Sequence, residues 1–150
     1  MTRERLKRLD RLLRLRRLDE ERDAARLAER ARGHADAQSQ AAAAEDAVAM
    51  IGPWKARVGP QGGLDLGRYR LAIEVEGDAM ARAQSAQDKV REAQAEVEAA
   101  TADYLRSASQ LRVSETRQSR IERAVRHEEE VRESDLLSDL LQASDWERPA

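Results

Sequence analysis

An all-α fold, two long helices forming an antiparallel coiled-coil hairpin, is predicted by three features of this 150-residue sequence. A three–four stripe of apolar and small residues runs along the second half. Gly and Pro crowd into a short middle segment, and bulky side chains are scarce. Phe is absent, the aromatics are Trp54, Trp146, Tyr69 and Tyr104, and 37% of the residues are charged. Ordinary globular domains carry ~25% charged residues. So little bulk cannot fill a thick interior, but it suits helices that bury a narrow seam.

The first helix is expected over about residues 3–51, where Pro is absent and Gly33 is the lone Gly. Leu6, Leu9, Leu13, Ala24, Leu27, Ala28, Ala31, Ala35 and Ala42 recur mostly at three- and four-residue steps, as one helix face requires. Glu4 before Arg8 and Asp10 before Arg14 have the favourable order for i,i+4 ion pairs. Residues 52–67, GPWKARVGPQGGLDLG, contain both internal prolines and are expected to be a loop.

The second helix, about residues 66–143, carries the clearest pattern. Ala83, Val90, Val97, Tyr104, Leu111, Gln118 and Val125 lie seven apart. Ala86, Ala93, Ala100, Ser107, Ser114 and Ile121 follow them at three-residue steps, so a column of mostly large residues runs beside a column of mostly small ones. Tyr69, Leu71, Ile73 and Val75 alternate as in a strand, and Gly77 could mark a break. Helix is the expected state there, because Tyr69, Ile73, Met80 and Ala83 continue the stripe and no second strand lies nearby. Residues 144–150 are expected to fray, and the whole is read as a single elongated unit. Pairing outward from the loop sets Ile51 against Leu66, Leu6 against Leu111 and Leu18 against Ala99. Helix two then overhangs from about Thr116.

The charge is unevenly placed although the net is only −2. Residues 1–18 hold eight basic and two acidic side chains, a net of +6; residues 127–150 hold two basic and eight acidic, a net of −6. Such asymmetry bears on partners more than on fold. The absence of Cys excludes disulfides, thiolate metal sites and cysteine nucleophiles, and accords with a reducing cytoplasm. No apolar run approaches the ~20 residues of a membrane span, and the charged opening lacks the apolar core of a signal peptide. A cytoplasmic protein without direct membrane insertion is expected.

Catalytic signatures are missing. Gly59-Pro60-Gln61-Gly62-Gly63 lacks the Lys-Ser/Thr that a phosphate cradle needs at a helix start. His34 and His127 are far apart in sequence and read as solvated surface histidines; Glu128-Glu129-Glu130 reads as a solvated face. No catalytic, cofactor or metal residues are assigned, and enzyme activity is not expected, since a two-helix seam offers no cavity to exclude water.

The basic opening has three functional readings. A nucleic-acid arm would bring Arg to phosphates, but six Leu in eighteen residues and no base-reading Asn argue against it. A membrane-surface helix would use the same Leu and Arg, yet the Leu are spread around the helix without an aromatic anchor. The inserted end of a protein complex, with Leu on apolar collars and Arg on acidic rings, suits the composition best. Leu12, Leu15 and Leu18 lie off the main stripe and, with Leu136, Leu137, Leu140 and Leu141, leave apolar surface for partners. Trp54 is either a cover for the seam's end or an exposed anchor.

The opening RERLKRLDRLLRLRRLDEERDAARLAER, the short central loop, the segment LDLGRYRLAIEVE and the long Ala/Gln/Glu helix that follows resemble the SctO/FliJ family of type III secretion and flagellar export stalk proteins, relatives of YscO. The likeness covers nearly the whole chain, with a longer Gly/Pro-rich loop and Gly77 as departures. It implies a hairpin whose paired termini enter the pore of the hexameric secretion ATPase while the loop end meets the export gate. Carried onto this chain, the ATPase-facing residues are Leu6, Leu9, Leu13, Arg14, Arg16 and Arg17, with Leu136, Leu137, Leu140 and Leu141 nearby. The gate-facing residues are Val48, Ile51, Trp54, Tyr69 and Ile73. Secretion chaperones or a stator protein are further implied partners, and no nucleic acid or cofactor is. A generic cytoplasmic coiled-coil scaffold, or a basic amphipathic protein associated with membranes or nucleic acid, are the alternatives.

Overall fold

The structure, a computed structural model, describes residues 2–58 and 66–147. The described chain is helical except at Glu147: α1 spans Thr2–Val58 and α2 spans Leu66–Trp146, and the two helices pack against each other. The chain divides into two compact units. Unit 1 comprises Met1–Arg22 with Leu105–Ala150, and unit 2 comprises Asp23–Tyr104.

The expected loop is shorter at both ends. Gly52 to Val58 continue α1, Leu66 and Gly67 open α2, and the rest of the segment, 59–65, lies outside the described residues. A Pro inside a helix forfeits one hydrogen bond and crowds the carbonyl four residues back. At Pro53 both penalties fall on the solvent side, since Gly52 and Pro53 are exposed. Val48, Ile51, Lys55 and Val58, spaced by three and four, are half-buried, so the packed face runs past the proline without a break. The Lys55 ammonium also meets the Glu76 carboxylate at 3.1 Å. Gly77 does not interrupt α2 either. α2 also extends further than expected, with helix through Trp146; 148–150 lie outside the described residues.

The longer α1 shifts the pairing. In unit 2, Arg30 donates to Glu96 at 3.3 Å, Gln87 donates to Glu45, and Lys55 pairs with Glu76. In unit 1, Gln118 donates to Asp10 and Arg16 to Gln110 at 2.7 Å. Within each unit the partner number on α2 falls as that on α1 rises, so the helices run antiparallel. Ile51 opposite Leu66, Leu6 opposite Leu111 and Leu18 opposite Ala99 are therefore not the register. Partner numbers sum about ten higher than that, because α1 continues through Pro53 before the chain turns. Asp10 engages Gln118 across the seam instead of the expected Arg14.

On α2 the stripe holds in full. Every three–four position from Ala83 to Val125 is buried or half-buried. Its continuation toward the start of α2 differs from expectation: Tyr69, Ala72, Glu76 and Ala79 face the seam, whereas Ile73 and Met80 are exposed. On α1 the face is Leu6, Leu9, Leu13, Arg16, Glu20 and Asp23, then Leu27, His34, Ala37, Ala41, Ala44, Val48 and Ile51. Ala28, Ala31, Ala35 and Ala42 are exposed, and His34 is half-buried on the seam rather than solvated. The seam is thin: among the described residues Leu9, Leu13, Ala41, Ala72 and Ala100 are its buried apolar side chains, and no large side chain is fully enclosed.

Candidate partner-binding surfaces

Among the described residues no group of three His, Asp or Glu side chains gathers as a metal cluster, and no helix is long and apolar enough to cross a membrane. The clefts beside the seam are shallow; one in unit 1, lined by Asp10, Arg14, Arg17, Glu115, Gln118 and Glu122 among others, is mostly polar. The candidate sites are exposed faces, two in unit 1 and one in unit 2.

In unit 1 the expected ATPase-facing residues separate into two sets. Leu9 and Leu13 are 9% and 6% exposed, and Leu6 and Arg16 are half-buried; all four face α2. α2 covers most of Leu9 and Leu13, whereas Leu6 and Arg16 keep part of their surface. Arg14 and Arg17 are exposed, and so are Leu136, Leu137, Leu140 and Leu141. The seam claims Leu6, Leu9, Leu13 and Arg16 because they share one three–four line. Leu12, Leu15 and Leu18 are displaced from that line and stay exposed, with Arg8 and Arg11 interleaved among them. These three leucines, rather than Leu6, Leu9 and Leu13, form the accessible apolar edge of the basic opening.

The tail of α2 differs from the rest of that helix. Arg126 to Glu147 are exposed at every position. Continuing the seam line beyond Val125 gives Glu128, Arg132, Asp135, Asp139 and Gln142, all polar. The leucines instead occupy the i,i+4 pairs Leu136–Leu140 and Leu137–Leu141, on another side of the helix. A second surface along the same unit is thus apolar, flanked by Glu129, Glu130 and Glu133.

In unit 2 the expected gate-facing residues also divide. Val48, Ile51 and Tyr69 are half-buried on the seam, whereas Trp54 and Ile73 are exposed. Around them Met50, Leu66, Leu71, Val75 and Met80 are exposed too. The signal that could have found them was already in the sequence: each is a large apolar residue that misses the line 69-72-76-79 or its counterpart 48-51-55-58. No family model, curated protein or solved structure matches this chain.

Proposed function

We propose that this chain is the central stalk protein of a type III secretion export apparatus, acting at its cytoplasmic face. In this reading the two helices form a left-handed coiled-coil hairpin, the supercoil that a seven-residue seam repeat imposes. Its paired termini enter the hexameric secretion ATPase, and its loop end contacts the export gate. The stalk is not itself an enzyme. A rod asymmetric in cross-section, held inside a near-symmetric ring, favours closure of some ATPase subunits over others and so couples hydrolysis to engagement of the gate. Secretion chaperones or a stator protein are further partners.

The observation that carries this reading is the surface of unit 1, where Arg14 and Arg17 stand exposed beside Leu12, Leu15 and Leu18 and the tail leucines remain uncovered. Arg presents fixed charge to an acidic ring, and Leu presents area to an apolar collar. In unit 2, Trp54 and Ile73 offer the gate a large apolar contact, with Trp the residue type most enriched at interface hot spots.

The test is binding to the purified ATPase of the cognate secretion system. Wild-type chain should co-purify with the hexamer and change its turnover. Reversing Arg14 and Arg17 to Glu should weaken binding about tenfold or more at low salt, with a smaller difference at high salt and unchanged helicity by circular dichroism. A chain that neither binds the ATPase nor alters its turnover overturns the reading and leaves the scaffold alternative standing.

A further inference from the structure

We infer that unit 1 is a self-docking end, in which the acidic leucine tail of α2 in one copy lies along the basic leucine face of α1 in a second copy, and reciprocally. The tail cannot satisfy itself within its own chain. α2 is a single helix through Trp146, so beyond Val125 it continues away from the start of α1 and does not turn back on it. What remains is a pair of surfaces of opposite charge, each with its own leucines. One offers Leu136, Leu137, Leu140 and Leu141 among acids, the other Leu12, Leu15 and Leu18 among arginines. The two carry −6 over residues 127–150 and +6 over residues 1–18.

The charges also choose the arrangement. Two antiparallel copies related by a twofold axis could overlap tail on tail or tail on head. Tail on tail brings eight acids against eight and is repulsive; tail on head brings each acidic helix beside a basic one. In the second arrangement the tail of one copy runs parallel to α1 of the other. Asp10 pairs with Gln118 within a copy, so the start of α1 lies level with the residues just after Val125. The same level in the second copy is the start of its own α1. Counting onward from there, residues 128–142 of the tail come level with residues 4–18 of the basic opening. The tail leucines, at 136–141, fall level with residues 12–17, the stretch that holds Leu12 and Leu15. Over that overlap the tail carries six acidic side chains and one basic, and the opening seven basic and two acidic, so the two stretches attract as wholes. Arg8 and Arg14 make no ion pair with another described residue, so their charge is free for a partner. Each docked tail is about 33 Å long at the helical rise, and the twofold axis doubles the contact.

This inference is independent of the stalk reading, because it concerns the chain alone. If both hold, self-docking covers the faces offered to the hexamer, and the two associations compete.

Sedimentation equilibrium of the full chain, from micromolar to hundreds of micromolar, tests it. Wild type should show a monomer–dimer equilibrium weakened by salt. Reversing Glu130, Glu133 and Asp139 to Lys should weaken dimerisation at least about tenfold, as should reversing Arg5, Arg8 and Arg14 to Glu. Mixing the two variants should restore a heterodimer, because both docks then pair opposite charges again. All six positions are exposed, and circular dichroism at equal concentration should show helicity retained. A wild-type chain that stays monomeric over the range overturns the inference, as does a dimer indifferent to these reversals. A mixture that remains monomeric overturns it equally.

Discussion

The α2 helix contains two stretches that obey different rules. From Tyr69 to Val125 its three–four positions are buried or half-buried by α1, and the exposed positions between them are mostly polar. From Arg126 to Glu147 nothing in the described chain covers it, yet it carries four adjacent leucines on a side away from the seam line. The first stretch therefore answers to folding and the second to partners. Leucine content does not tell them apart, but phase relative to the neighbouring helix does.

The sharpest way to break that contrast is to truncate one leucine in each environment. Leu13, in the basic opening, is 6% exposed against α2; Leu141 is 67% exposed. Leu13→Ala should cost about 2 kcal/mol, the low end of the range for buried leucines, because this seam is one side chain deep. Leu141→Ala should change stability by less than about 0.5 kcal/mol when read at high dilution, where no second copy contributes. Urea denaturation followed by circular dichroism measures both. Equal costs would mean that the tail is packed against something within the chain and that the two stretches do not differ.

Much of this contrast could be read from the letters, and the failures have physical causes. The α2 stripe from Ala83 to Val125 was legible because its period is regular and one phase is sustained over many turns. The α1 face was legible only where Leu marks it. Beyond Leu27 the helix is so rich in Ala that several phases look alike, and Ala28, Ala31, Ala35 and Ala42 were a wrong choice among near-equals. Arg16, Glu20, Asp23 and His34 occupy seam positions that no apolar pattern would select. The register failed for a further reason: Gly52-Pro53 reads as a stop by local propensity, while seam packing on either side, at Val48, Ile51, Lys55 and Val58, carries the helix through. The sites followed the faces. Trp54, Ile73, Arg14, Arg17 and the tail leucines are exposed, whereas Leu6, Arg16, Val48, Ile51 and Tyr69 are half-buried on the seam and Leu9 and Leu13 are buried in it.

Within unit 1, Arg16 shows what a polar residue costs the covered stretch. Its guanidinium reaches Gln110 at 2.7 Å through one terminal nitrogen, while Nε is buried without a hydrogen-bond partner. Replacing it by Met keeps most of the apolar stem and removes the unsatisfied donor. Arg16→Met should raise stability by about 1 kcal/mol, read as a higher urea midpoint with an unchanged slope. A lower midpoint would show that the bond to Gln110 outweighs the orphaned Nε–H, and that polar seam positions stabilise this end directly.

The smallest effect sharpens the comparison at the level of the backbone. Gly77 lies inside the covered stretch but faces solvent, and a Cβ built there meets nothing within 4 Å. It has ordinary helical geometry, so an alanine would enter without strain and would restrict the unfolded chain. Gly77→Ala should therefore stabilise the protein by roughly 0.5–1 kcal/mol, with no change in the pairing of Lys55 with Glu76 nearby. A loss of stability would mean that α2 needs a soft point at this residue, between the exposed apolar patch around Ile73 and the regular stripe that starts at Ala83. The helix would then be less uniform over its covered length than the burial pattern implies, and the boundary that matters would lie at Gly77 as well as at Val125.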